Sequence, residues 1–389
     1  MEKIVVIGVG FIGGYLRRGM KNLLGDTLRG NVFGVKGSAA GRAERERTLG
    51  FDISVNDTAA VLARENPTII VLSPPPETVP GLTREILSPY YAACRSAGQP
   101  LPDLYSFAPS PSADWLAAQL GSDVHCAKIL PNIFDTVCGV DITPIGVNSV
   151  SLGSSWPEER LAVLRTVLAP YGETVVLTDP DSLVLLAGKI TSHVCCEVCC
   201  AIADTAARAG VPVTVNVLGS AMCAAQLLFC PDLPVLHPCS DTEVPAPLRS
   251  FMIELTRAWF DGLHAFTQSI PLSIPAEQAA HIDALSFALN VFPISLETRE
   301  QLAQDTKNAA TKGGVLERGV AYFYEHVEAP LARAVEETLT GAGADSDFFA
   351  WIRAQSEGMS RAAYERSLRL AGRDSGDQQI RLDKSDVSD

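Results

Sequence analysis

Between residues 187 and 200 the chain reads A-G-K-I-T-S-H-V-C-C-E-V-C-C, which puts an amine, two hydroxyls, an imidazole and four thiols on one short stretch. Lys189 and His193 are four residues apart, so on a helix they share a face. A positioned ammonium or imidazolium there can hand a proton to a reacting group. Thr191 and Ser192 carry hydroxyls suited to a substrate carboxylate, or to capping a helix start. Lys189, Thr191, Ser192 and His193 are therefore the catalytic candidates. The bland alternative for Lys189 is an ion pair at a domain seam.

The thiols read differently. Cys195/Cys199 and Cys196/Cys200 are i, i+4 pairs, and Cys196-Glu197-Val198-Cys199 spells C-x-x-C. A redox pair wants its first thiol at a helix N-terminus, and these lie a turn or two inside. His193, Cys196, Glu197 and Cys200 form a possible metal stripe, but one helix rarely surrounds a metal. His237 and Cys239 form another near pair, but no second cluster is obvious. The reading adopted is no metal, with cysteine as a small apolar packing residue. The alanines that follow, then Gly210 and Pro212, fit a packed helix and its stop.

Such groups need elements to carry them. Lys3–Ile7 (K-I-V-V-I) is a short buried strand running into G-V-G-F-I-G-G. Gly8, Gly10 and Gly13 have G-x-G-x-x-G spacing, with Phe11 and Ile12 inside it, and a helical pattern covers Tyr15–Leu24. That order suits a dinucleotide diphosphate: a tight turn at Gly8, close approach at Gly10, close packing at Gly13. After a second strand at Asn31–Val35, an NAD site would place an acidic residue. The chain instead has Lys36-Gly37-Ser38 and then Arg42. Cations and a hydroxyl suit a 2′-phosphate, so NADP is preferred over NAD.

Further strands are expected at Thr68–Leu72, Asp103–Phe107, Ala127–Leu130, Ser149–Leu152 and Thr174–Thr178, with helical patterns between most of them. This alternation predicts an α/β fold: a doubly wound parallel sheet with ligands at its carboxyl edge. Ser73 and the prolines after it should line that edge, as should Ala108–Pro111. Asn132, just past a strand, should sit near the cofactor's ring. Pro231–Pro247 is too proline-rich for a helix. Helical patterns resume at Leu248–His264, Pro275–Leu289, Leu296–Ala310, Gly319–Leu339 and Ser346–Leu370, and predict an all-α second domain.

The 389 residues suffice for two domains. A net charge of −14 argues against nucleic acid, which needs a basic face. No apolar run is long and uninterrupted enough to span a membrane. The strand pattern begins directly after Met1, so the expectation is a cytoplasmic protein whose ten cysteines are reduced.

Several segments, in order, resemble pyrroline-5-carboxylate reductases. Lys128-Ile129-Leu130-Pro131-Asn132 and then Gly139 are similar to that family's M-P-N-T-P…G-x-G. Leu168 to Leu177 looks like its segment before the interdomain linker, and Thr311-Lys312-Gly313-Gly314-Val315-Leu316-Glu317 resembles its glycine loop and helix. The resemblance covers 1–230 and resumes around 300–340. It implies a Rossmann domain, a helical domain that dimerises, and NADPH-dependent reduction of a C=N bond in a small cyclic imino acid. The chain departs from the pattern at Ala187–His193, where the family has S-G-S-G-P, and at Lys312 and Val315.

Lys189 is also similar to the interdomain lysine of β-hydroxyacid dehydrogenases, with His193 in the place of their asparagine. That implies an alternative in which Lys189 is the acid/base. A third reading is a nucleotide-sensing or assembly protein without chemistry. The expected division is 1–180 for the cofactor domain and 181–372 for the helical substrate and dimer domain, with an insertion at 231–300 and a disordered tail at 373–389. The expected partners are a small-molecule substrate and a second copy of the chain, with no nucleic acid or membrane.

Overall fold

The computed structural model of the chain describes residues 1–131, 146–234, 239–291, 300–304, 313–345 and 347–372. Asn132 and the expected tail lie outside them. Among the described residues, eight strands form one sheet in the order β3-β2-β1-β4-β5-β6-β7-β8. They are β1 Ile4–Ile7, β2 Val32–Lys36, β3 Asp52–Val55, β4 Ile69–Leu72, β5 Asp103–Ser106, β6 Cys126–Leu130, β7 Val147–Leu152 and β8 Glu173–Val176. β1 to β6 run parallel, β7 is antiparallel to β6, and β8 is parallel to β7.

The central strands are continuous apolar runs, I-V-V-I and I-I-V-L, because both faces are covered and every residue is buried. One face packs on the helices Arg17–Leu24 and Glu158–Leu168, the other on helices that include Thr58–Glu65 and Ala113–Leu120. β3, Asp-Ile-Ser-Val, escapes the sequence reading. It is a half-polar edge strand that buries one residue of its four fully, so it lacks the apolar run that marks the others. Because the chain reverses direction after β3, β1 and β4 flank the switch point where a crevice opens at the carboxyl edge.

The opposite, amino edge is tied by charge. Arg160 bridges Glu2 and Asp103, both at 2.7 Å, and His125 Nδ1 lies 2.9 Å from Asp103. This network joins the starts of three strands and fastens the sheet away from the candidate site.

Beyond β8 the chain is helical. Asp179–His193, here the seam helix, runs almost unbroken into Cys195–Arg208. The Val194 amide donates to Ile190 O and Val198 donates to Val194 O, both at 3.1 Å, so the backbone ladder crosses the join. The stretch Asp179–Arg208 has the length and composition to cross a bilayer, yet 83% of its apolar window is buried inside protein. The expected insertion supplies two helices, Ala246–Gln268 and Ala276–Val291, which build the centre of this domain. Trp259 is wholly buried and its Nε1 donates to Thr191 O at 3.2 Å.

Two long helices, Ala246–Gln268 and Phe348–Gly372, meet at Gly262. A Cβ there would overlap the Arg353 carbonyl and stand 2.7 Å from Ser356 Cβ. A Cβ on Gly81, also helical, would meet nothing within 4 Å among the described residues. Gly262→Ala is therefore expected to cost about 1–3 kcal/mol through overpacking, whereas Gly81→Ala should be neutral or slightly stabilising. Urea denaturation of the two variants checks this, and equal stabilities would contradict the close crossing.

Candidate active site

The glycine turn sits at the carboxyl end of β1. Gly8 has φ +95°, and a side chain there would overlap the Pro74 backbone. A Cβ at Gly13 would come within 2.6 Å of Gly8 O and 2.8 Å of Ser73 Oγ. Both glycines are thus fixed by packing of protein on protein. Gly10 differs, since its nearest neighbour would be Gly8 O at 3.9 Å. Packing among the described residues does not require glycine at that position; close approach of a phosphate would. Ser73 Oγ donates to Gly8 O at 2.9 Å, so it braces the turn from β4. Ile12 packs into the core beneath the sheet; of Phe11 only its backbone place in the first turn of helix is described.

Arg45, which the sequence reading passed over, reaches back from the helix Arg42–Leu49 and donates to Gly10 O at 3.1 Å. It adds positive charge beside the turn. Lys36 ends β2 and bonds Ala40 O at 2.8 Å, while Ser38 is exposed close by. Arg42 is paired with Glu46 at 3.1 Å, so much of its charge is already spent.

Lys189 lies farther along the same edge. Its Nζ donates to Val147 O at 2.9 Å and Leu130 O at 3.3 Å, at the carboxyl end of β6 and the start of β7. Three strand spacings separate β1 from β6, roughly 14 Å along the edge. Part of the lysine stays open to solvent, but desolvation by its packed surroundings pushes the ammonium down to about 8. An ammonium has three donors, and two carbonyls account for two of them.

What aims the lysine is a pair missed at the sequence level except as part of a resembling segment. Lys128, on β6, is wholly buried and ion-paired with Asp179 in the first turn of the seam helix. Asp179 also accepts from the Ala113 amide at 2.8 Å. The next turns then carry Lys189 over the strand ends.

The other candidates on this helix have different surroundings. The Thr191 hydroxyl meets Ala187 O at 3.1 Å and Ser360 Oγ at 2.9 Å. Ser192 donates to Gly188 O at 2.8 Å. Both side chains are wholly buried, with their hydroxyls committed to the helix and its neighbours. His193 is buried too, and desolvation pushes its imidazole down to about 4, so it is neutral at pH 7. The structure therefore brings Lys189 to the sheet edge and sets Thr191, Ser192 and His193 inside the helical packing.

The glycine loop does approach the seam. Gly313 O accepts from Arg366 Nε at 2.7 Å, and Val315 packs with Val184 and Ala187 of the seam helix. Ser110 Oγ donates to Leu370 O at 3.4 Å, which joins the post-β5 loop to the last helix. Cys195, Cys196, Cys199 and Cys200 are all buried thiols in apolar clusters. Among the described residues, no group of three or more His, Cys, Asp or Glu is placed to hold a metal.

A second feature was not read from the sequence. Asp283 is buried against Gly188, the neighbour of Lys189, whose added Cβ would lie 3.6 Å from its Oδ1. Asp283 accepts from Thr267 at 3.2 Å and pairs with His264 Nδ1 at 3.1 Å; His264 Nε2 lies 2.7 Å from Gln268 Nε2. The available signal was a lone carboxylate immediately before the apolar run A-L-S-F-A-L.

Burial pushes the Asp283 carboxyl up to about 6 despite His264, and Asp283 in turn raises the His264 imidazole. For a carboxyl raised from 3.8, the contribution to stability is full below that value and is lost as pH climbs through about 6. Asp283→Asn removes the buried charge. Its stability relative to the native chain should rise between about pH 4 and pH 8, by up to about 3 kcal/mol, since each pKa unit is worth about 1.4. Urea denaturation of both proteins across that range measures it, and parallel pH dependence would contradict a buried charge at Asp283.

No protein-family model matches this chain, and no curated protein sequence does. Among solved structures it is similar to a pyrroline carboxylate reductase from Plasmodium falciparum with NADP bound. That alignment covers 95% of this chain and 98% of the other, at 13% identity and a TM-score of 0.40. A pyrroline-5-carboxylate reductase from Coxiella burnetii aligns over 95% and 98%, at 12% identity and a TM-score of 0.41. A glycerol-3-phosphate dehydrogenase from Saccharomyces cerevisiae aligns over 97% of each chain, at 10% identity and a TM-score of 0.37. At such identities and scores the likeness carries no residue roles to this chain.

Proposed function

We propose that this chain is a nicotinamide-dinucleotide-dependent oxidoreductase acting on a small acid at the carboxyl edge of its sheet, with Lys189 as the acid/base. The observation that carries the reading is the joint placement of the Gly8–Gly13 turn and Lys189 on one edge. When bound, the dinucleotide supplies or accepts the hydride. Gly8, Gly10 and Gly13 would let its diphosphate approach the backbone, and Ser73 and Arg45 would hold the turn in shape. Lys36 ends β2 and Ser38 follows it, where a ribose phosphate would lie, so NADP is the favoured form.

Lys189 does the proton work. Two carbonyls fix its ammonium, and the third N–H is the one a substrate oxygen or nitrogen would meet. Its place favours a carbonyl–hydroxyl pair, because an alkoxide needs a proton as it forms and an iminium already carries one. The commitment of the Thr191 and Ser192 hydroxyls to protein partners weighs the same way. Reduction of a cyclic imine, the activity that the K-I-L-P-N and T-K-G-G-V segments favour by resemblance, is the second reading.

Fluorescence titration with NADPH and NADH is the first test. Saturable binding is expected, tighter for NADPH, and binding of neither would overturn every redox reading. With a 3-oxo acid as substrate, Lys189→Ala should lower turnover by about 10²–10⁴-fold while leaving NADPH binding intact. The donating form of Lys189 exists below its pKa. Reduction by the native enzyme should therefore fall as pH rises through about 8, and oxidation should show the opposite limb. Full turnover of the alanine variant on a cyclic imine, together with no native activity on oxo acids, would select the second reading.

A further inference from the structure

A pair of neighbouring thiols outside the candidate site is suited to reversible oxidation. Cys223 is buried on the helix Val215–Phe229, and Cys239 is half-buried where the chain returns across that helix. The return is held in place. The Ser240 amide donates to Ser220 Oγ at 3.0 Å, one helical turn before Cys223. Thr242 N donates to Ser240 Oγ at 3.1 Å. Arg249 reaches back to Thr242 O at 2.9 Å and Val244 O at 3.1 Å. The anchored segment sets the two sulfurs in hydrogen-bonding contact, with the Cys223 thiol donating to Cys239.

Contact between sulfurs on a fixed backbone is what disulfide formation requires. The bond from Cys223 lowers the Cys239 thiol, and the same bond with burial raises Cys223. The more exposed sulfur is thus the more acidic of the two. The four thiols at 195–200 present the contrast, since all are buried, and desolvation raises Cys195 and Cys199.

We infer that Cys239 is a site of oxidation by hydroperoxides, with Cys223 as its resolving thiol, and that the disulfide formed staples residues 239–245 to the helix beneath. The Cys239 thiolate attacks the peroxide, breaking the O–O bond to give a sulfenic acid and one water or alcohol. The Cys223 sulfur then attacks that sulfenic sulfur, forming the S–S bond and expelling water. In sum, two thiols lose two hydrogens and one peroxide is reduced. A dithiol reverses the change.

The test uses the full reduced chain and hydrogen peroxide. The expected result is loss of two hydrogens in the intact mass, a peptide pair joined through Cys223 and Cys239, and reversal by dithiothreitol. Cys239→Ser should abolish the loss. Cys223→Ser should leave a sulfenic acid on Cys239 that dimedone traps. A bridge among the thiols at 195–200, a bridge between chains, or a Cys239 that stays reduced while other thiols oxidise would each overturn the proposal.

Discussion

The placement of the candidate site depends on one buried ion pair, Lys128 with Asp179. A buried pair of this kind is a poor source of stability, because desolvating two charges offsets most of their attraction. What it does is fix a direction. Asp179 also accepts the Ala113 amide and stands in the first turn of the seam helix, where negative charge is favoured by the helix dipole. With that turn held to β6, the helix crosses the strand ends at a set angle. Lys189, about three turns on, then reaches two main-chain carbonyls.

Two classes of buried polar group follow from this arrangement. Thr191, Ser192 and Ser360 have hydroxyls whose acceptors lie within the helical packing, and they specify how helices register. Lys189 is held by carbonyls that cannot neutralise it, so its charge is costly and its proton is easily given up. Polar groups of the first class make a core unique. A group of the second class is suited to chemistry.

The glycine turn was legible in the sequence because its Gly8, Gly10 and Gly13 spacing is local, although the Ser73 and Pro74 backbone it packs against comes from a distant strand. The parallel sheet was legible from its doubly buried apolar runs, and β3 was lost because an edge strand need not be apolar. The seam helix was readable as a stretch, but not the roles along it. A hydroxyl that bonds the carbonyl four residues back is the same residue as one that holds a substrate, and only the register against Ser360 and Trp259 separates them. Lys128 with Asp179, and His264 with Asp283, are joined by the angle at which elements pack, which no local pattern records. Arg45 was passed over because a cation on a charged surface helix looks like every other one there.

The continuity of Asp179–Arg208 through Val194 has a mechanical meaning. Thirty residues of helix make a rod of roughly 45 Å, clamped at one end by a charge pair and embedded along its length in the second domain. A tilt of about 5° at the clamp would carry the far end through roughly 4 Å. The rod thus runs from the strand ends past the sulfur-rich packing around Cys199 and Met222, which touch at 3.5 Å. Soft, polarisable side chains of this kind fit irregular gaps and would accommodate such a displacement more readily than branched residues.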